Sequence, residues 1–228
     1  MSPTATIARV TLRRLLRGRA LWVGAAIALL PTGYAAVIAA KRVEGFADPL
    51  SVFGFVQLVL AVLPALFVAS AIGDDIEDHS ITYLWSRPIP RWSVAVGKLI
   101  AMVPVIWLLS IASWCVAIVA GGGEPTLASI GALVIVGTAL SIIAAAIATL
   151  APRYAMALTV VYMLFFDLPL GVMPAAIRNL SITEHGRSLA DLKPVGEALS
   201  APMACVGIAI IASLWAAIGL WRTRRPSA

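Results

Sequence analysis

The stretch from Lys98 to Arg153 reads KLIAMVPVIWLLSIASWCVAIVAGGGEPTLASIGALVIVGTALSIIAAAIATLAPR, and Glu124 is the one charged residue between its two ends. A helix rises about 1.5 Å per residue, so about 20 apolar residues are needed to cross about 30 Å of hydrocarbon. Leu99–Gly123 and Pro125–Pro152 both exceed that length. Two consecutive membrane spans follow, and the same reading extends outward in both directions. Toward the N-terminus, Pro49–Gly73 is uncharged and stops at Asp74-Asp75, and Ala20–Ala40 stops at Lys41-Arg42. Toward the C-terminus, Tyr154–Val172 is interrupted by Asp167, and Ala198–Trp221 ends at Arg222.

The expected architecture is an all-α integral membrane protein with six transmembrane helices over 20–40, 50–72, 99–120, 127–151, 154–172 and 200–221. They form one membrane domain over 1–228 without a soluble appendage. The runs lack the alternation of a transmembrane barrel. The first is a full-length span with no small-residue cleavage site after a short apolar region, so it reads as a span and not as a signal peptide. Composition agrees: 61% of residues are hydrophobic and 12% charged, against about 45–50% and about 25% in soluble domains. A soluble enzyme and a disordered chain are both excluded. Cys115 and Cys205 lie inside apolar runs, where a thiol packs as a small hydrophobe, and a disulfide scaffold is excluded with them.

The net charge of +6 is an insertion signal. The N-terminal segment, loop 73–98, Arg153 and the C-terminal tail hold twelve of the 17 Lys and Arg residues. The remaining loops hold Lys41, Arg42, Arg178, Arg187 and Lys193. The positive-inside rule then places both termini in the cytoplasm of a multi-pass protein of the inner (cytoplasmic) membrane. Within 4–18, Ile7, Ala8, Leu12, Leu15 and Leu16 fall on one half of a helical wheel, and Arg9, Arg13 and Arg17 form a row on the other. Such a helix can lie at the membrane interface with its arginines toward anionic lipid; the same arginines also serve as flanking topology charge. No aromatic residues are interleaved with them, so nucleic acid is not a partner.

Loop 73–98 carries the functional signal: Gly73-Asp74-Asp75-Ile76-Glu77-Asp78-His79-Ser80-Ile81-Thr82-Tyr83-Leu84-Trp85-Ser86-Arg87-Pro88-Ile89-Pro90-Arg91, running on to Gly97-Lys98. Its acidic opening suits the N-terminus of a short helix, on which Ile81, Leu84 and Trp85 share a face. Pro88 and Pro90 then end that helix. A plain connection needs none of this, whereas a docking surface for a cytoplasmic partner does.

At these residues the chain resembles the ABC-2 type ABC transporter permeases. Their loop commonly joins an acidic cluster (here Asp74, Asp75, Glu77 and Asp78) to leucine-type positions (Ile81, Leu84, Trp85). An Arg-Pro-Val/Ile-x-Arg signature (Arg87-Pro88-Ile89-Pro90-Arg91) and a Gly-Lys pair follow. His79-Ser80 stands where the family frequently has Gly-Thr. The resemblance extends over the whole chain: six spans, cytoplasmic ends, an N-terminal amphipathic helix, and short outer helices within a longer outer segment, 173–199, before the last span. It implies that 73–98 is a coupling loop seated on an ABC ATPase (nucleotide-binding) subunit, with two such subunits on a homodimer or related heterodimer of permeases. It also implies export as the direction of transport and a re-entrant outer gate in the outer segment. The chain holds no G-x-x-x-x-G-K-[ST], since Gly97-Lys98 is followed by Leu99, so ATP and Mg²⁺ belong to the partner and this subunit is non-catalytic.

Asp167 is the single acid within an expected span, and a charge at mid-depth costs about 2.5–3.5 kcal/mol on insertion scales. With Pro169 in Leu168-Pro169-Leu170-Gly171 expected to break the helix, the two residues form a candidate translocation-path or gate site. The alternative is an outer-interface carboxylate near a helix end. His79 and His185 lie in opposite loops and read as surface residues, and Pro64 and Pro104 as kinks. For the whole chain, two other functions stay open. One is a membrane anchor of another complex. The other is an integral-membrane lipid-modifying enzyme, which would need several acids or histidines at one depth.

Overall fold

The computed structural model describes residues 3–41, 49–77, 91–173, 176–192 and 199–224. These are helical nearly throughout, and no strand occurs among them. Six helices are long and apolar enough to cross a membrane: Arg19–Ala40, Pro49–Ile76, Trp92–Ala120, Leu127–Leu150, Pro152–Gly171 and Ala201–Thr223, referred to below as spans 1 to 6. The chain is thus an all-α, multi-pass membrane protein. An amphipathic helix, Pro3–Arg17, precedes span 1. A 3₁₀ turn, Ala176–Leu180, and a helix, Ile182–Leu189, lie between spans 5 and 6.

Spans 2 and 4 form the centre, with 72% and 67% of their apolar windows buried, against 28%, 28% and 22% for spans 1, 5 and 6. The centre packs Phe53, Leu60, Leu63 and Phe67 of span 2 against Leu133, Leu140 and Ile143 of span 4 and Ile106 of span 3. Trp114 meets Phe53 edge-to-face at 5.1 Å and donates its indole N–H to Ser129 Oγ at 2.8 Å, which satisfies the polar end of a buried ring. Lipid supplies no hydrophobic drive between helices, so close backbone approach at small residues matters most. Gly24 of span 1 makes room for the Phe67 ring, and Gly219 of span 6 for the backbone of Ala146. The peripheral spans leave Trp22, Leu30, Phe165, Phe166, Val206 and Ile210 exposed, an apolar surface suited to lipid.

Spans 2 and 5 each contain a π-helical segment, Ala65–Ala69 and Tyr162–Asp167. Pro64 directly precedes the first. Pro104, by contrast, lies inside an uninterrupted helix, Arg91–Ala120. The expected break at Leu168-Pro169-Leu170-Gly171 does not occur. The π segment passes straight into the helix Leu168–Val172, and backbone geometry turns extended only at Met173. Proline clashes with the carbonyl four residues earlier; for Pro169 that is Phe165, which lies inside the widened turn.

Two further expectations about loop 73–98 change. Helix continues through Glu77, so Asp74, Asp75 and Glu77 sit within the helix Ser70–Glu77 and not at its start. Backbone is already helical at Arg91, in the helix Arg91–Ala120, which draws Trp92–Lys98 into span 3. Asp75 finds its compensation on span 3, as described below. The short helix expected over Ile81, Leu84 and Trp85, together with Asp78, His79, Arg87 and Pro88, lies outside the described residues, as do the side chains of Glu77 and Arg91.

Candidate functional site

The loop end of the bundle is organised by Lys98. Its Nζ forms an ion pair with Asp75 and donates to the carbonyl of Ala71. Lys98 is buried, and a cation in that position requires a partner. The pair therefore ties the end of span 2 to the start of span 3, the two points between which loop 78–90 leaves and returns. One residue earlier, Gly97 lets the N-terminal helix cross span 3. A Cβ there would lie 3.0 Å from Ile7 Cβ and from the Thr4 carbonyl oxygen. The Gly97-Lys98 pair thus has two local jobs, helix crossing and charge neutralisation. On the N-terminal helix Leu15 is buried, while Arg9, Arg13, Arg14 and Arg17 remain exposed.

Between that helix and the ends of spans 1, 2 and 3 lies a cavity of about 530 Å³. Arg14, Arg19 and Asp74 line it beside the Lys98–Asp75 pair, and Leu66, Phe67 and Met102 supply its apolar wall. Asp74 is exposed, whereas Asp75 is half-buried against Lys98. Two of the four acids therefore divide: Asp75 is structural and Asp74 lines a cavity.

The opposite end of the bundle holds a buried polar network around the helix Ile182–Leu189, hereafter called the outer helix after the expected outer segment 173–199 in which it lies. Asp167, only 1% exposed, accepts the Ile182 N–H at 2.7 Å and the Thr183 N–H at 3.1 Å, one on each carboxylate oxygen. Ser181 Oγ accepts the Glu184 N–H at 3.2 Å, completing the cap. The first N–H groups of a helix lack intrahelical partners and carry partial positive charge, so a carboxylate there is well placed. Asp167 lies four residues before the end of span 5 at Gly171, or roughly 6 Å along the axis. Its burial is accounted for by this cap, and Gly171, two residues after Pro169, approaches the same cap, leaving only 2.9 Å between a Cβ and Ser181 Oγ.

The other side of the outer helix meets Gln57 of span 2, whose side-chain N–H donates to the Thr183 carbonyl at 2.7 Å. Arg187 Nε donates to Gln57 Oε1 at 3.0 Å, and Arg187 Nη1 lies 3.9 Å from Glu184 Oε2. His185, expected at the surface, is instead 3% exposed, with Nε2 2.9 Å from the Asn179 carbonyl oxygen. Three glycines give the helix its space: Gly171, Gly186 against Val136 and Gln57, and Gly207 of span 6 against the His185 ring.

Glu184 Oε2 and His185 Nδ1 are buried without a hydrogen-bond partner. Burial pushes the Glu184 carboxyl above its ordinary range, opposed by the charges of Arg187 and Arg178. Burial pushes the His185 ring down, opposed by the Asn179 carbonyl and by Asp167. A neutral ring with its proton on Nε2 donates to Asn179 and leaves Nδ1 as a bare acceptor. Sequence reasoning missed Gln57, Glu184 and Arg187. The available signal was Gln57, an amide in the middle of the otherwise apolar run 49–73.

Among the described residues, no three His, Cys, Asp or Glu side chains gather to hold a metal ion. Comparison with protein-family models and with curated proteins gives no match to this chain.

Proposed function

We propose that the chain is the transmembrane permease subunit of an ABC-2 type exporter, with both termini in the cytoplasm of the inner membrane. ATP is hydrolysed in a separate nucleotide-binding subunit, two copies of which dock on a permease dimer. The reading is carried by the acidic and Arg87-Pro88-Ile89-Pro90-Arg91 signature, which lies between spans 2 and 3 of six. The Asp75–Lys98 pair supports it, because it couples the two ends of that loop to each other. Gly97 supports it as well, since the N-terminal helix rests on the same point of span 3. A displacement of the loop by the ATPase thereby reaches spans 2 and 3 and the N-terminal helix together. At the far end, the outer helix held by Asp167 is the element positioned to act as a gate.

The test is co-purification of the chain with an ATPase subunit carrying a phosphate-binding loop, repeated with Glu77→Lys and Asp78→Lys combined. Asp75 is left intact because it holds Lys98, and Asp74 because it faces the cavity. The charge-reversed variant is expected to fold and to lose most of the bound ATPase. Full retention of the ATPase by that variant, or no ATPase with either protein, refutes the docking role.

A further inference from the structure

The cavity beside the N-terminal helix holds charges that the fold itself does not use. Lys98 is committed to Asp75 and the Ala71 carbonyl. Arg14, Arg19 and Asp74 line the same space, and none of the three forms an ion pair with another described residue. Two cations and one carboxylate therefore face one cavity of about 530 Å³, within the range of about 300–1,000 Å³ typical of small-molecule sites. Its place is equally specific: it opens where span 1 begins, span 2 ends and span 3 begins, which is the level of lipid headgroups. Leu66, Phe67 and Met102 continue it toward the apolar layer.

We propose that this cavity binds the headgroup of one aminophospholipid, with the phosphate against Arg14 and Arg19 and the ammonium against Asp74. Guanidinium groups present paired N–H donors that match phosphate oxygens, and basic pockets between transmembrane helices recognise lipid headgroups. A phosphate alone would bring a second negative charge beside Asp74, which lines the same cavity, and like charges repel. An ammonium a few bonds away from the phosphate offsets that repulsion. The apolar wall takes the glycerol and the first acyl carbons. A free anion would need no such wall. The site differs from general attraction of anionic lipid to the arginine row, because Arg9, Arg13 and Arg17 do not line it. It also stands apart from the transport reading, since it requires only that the chain sit in a membrane.

The test uses the purified full-length chain in detergent, incubated with dihexanoyl phosphatidylethanolamine or dihexanoyl phosphatidylglycerol, with bound lipid counted by native mass spectrometry. Phosphatidylethanolamine is expected to bind with one-to-one stoichiometry and more tightly than phosphatidylglycerol. Arg14→Gln and Arg19→Gln should each weaken both lipids by about tenfold, the order expected for a charge-assisted hydrogen bond. Asp74→Asn should abolish the preference for phosphatidylethanolamine while leaving phosphatidylglycerol bound. Equal binding of both lipids by the unaltered chain, or no effect of Asp74→Asn, overturns the ammonium assignment. A loss in Arg13→Gln as large as in Arg14→Gln overturns a discrete site. Displacement by soluble phosphoethanolamine at the same concentration as the lipid overturns the lipid as its source.

Discussion

Replacing Asp167 by asparagine keeps the shape of the side chain and removes the charge that caps the outer helix. The carboxylate now serves two backbone donors, Ile182 N–H at 2.7 Å and Thr183 N–H at 3.1 Å. Asparagine has one oxygen, so one donor keeps a neutral partner and the other meets an amide N–H₂. A hydrogen bond to a charged group contributes about 1.5–3 kcal/mol, and a buried donor left unmatched costs about 1–3 kcal/mol. The lost interaction with the helix dipole adds about 0.3–1 kcal/mol. Relief of the desolvation cost of a buried charge offsets part of this. The expected net destabilisation is about 3 kcal/mol, concentrated at the outer helix. The measurement is thermal unfolding of the purified protein in detergent, with Asp191→Asn as the comparison, since Asp191 is an exposed acid of the same outer segment. A cysteine at Thr183, with Cys115 and Cys205 replaced by serine, should become reactive to a polar maleimide in the Asp167→Asn background and not in the unaltered one. If Asp167→Asn matches Asp191→Asn in both measurements, the cap does not hold the outer helix in place, and the argument from the two hydrogen bonds fails.

Gly97→Leu drives a side chain into Ile7 and the Thr4 carbonyl, an overpacking of about 1–3 kcal/mol. It should lift the N-terminal helix and speed tryptic cleavage at Arg9 and Arg13, whereas an unchanged cleavage rate would show that the crossing is not close. The pH dependence of stability should change in Glu184→Gln. In the unaltered chain the raised Glu184 carboxyl contributes stability that is complete below 4.5, its ordinary value, and is lost as pH rises through the folded-state value. The depressed His185 contributes in the opposite sense: its stability is present above 6.5 and is lost as pH falls through its folded-state value. Arg187, Arg178 and Asp167 act on these two groups in both proteins. Removing the Glu184 titration should leave the His185 trend unopposed, so that unfolding temperature drops more steeply between about pH 6.5 and pH 4.5. Parallel profiles for the two proteins would show that the Glu184 carboxyl is not shifted by burial.

The span count was legible because six apolar runs are each bounded by charge or by proline, and membrane crossing depends on length and composition more than on partners. The limits shifted where polar residues found buried partners. Span 2 runs on through Asp74 and Asp75 because Lys98 neutralises Asp75, and span 3 starts early because its first turns pack under the N-terminal helix. Neither contact can be read from local pattern, since the residues lie on different helices. Asp167 was visible as an anomaly, but its partners are backbone N–H groups, which carry no sequence signature. His185 was misplaced for a related reason. A polar residue in a loop segment reads as exposed unless one knows that Gly207 and Gly186 have opened a slot for it.

The π turn at Tyr162–Asp167 has a consequence for what span 5 tolerates. Successive residues of an α-helix point about 100° apart, and a π turn holds one residue more than an α turn. Removing one residue from 162 to 164 would let span 5 revert to regular helix while the residues on either side keep their angular phase. Asp167 would then still face the outer helix, whereas the same deletion in the regular helix Ala155–Val161 would swing it by about 100°. Span 5 is therefore tolerant of losing a residue inside its π turn and intolerant of losing one just before it, because angular phase sets where its one acid points.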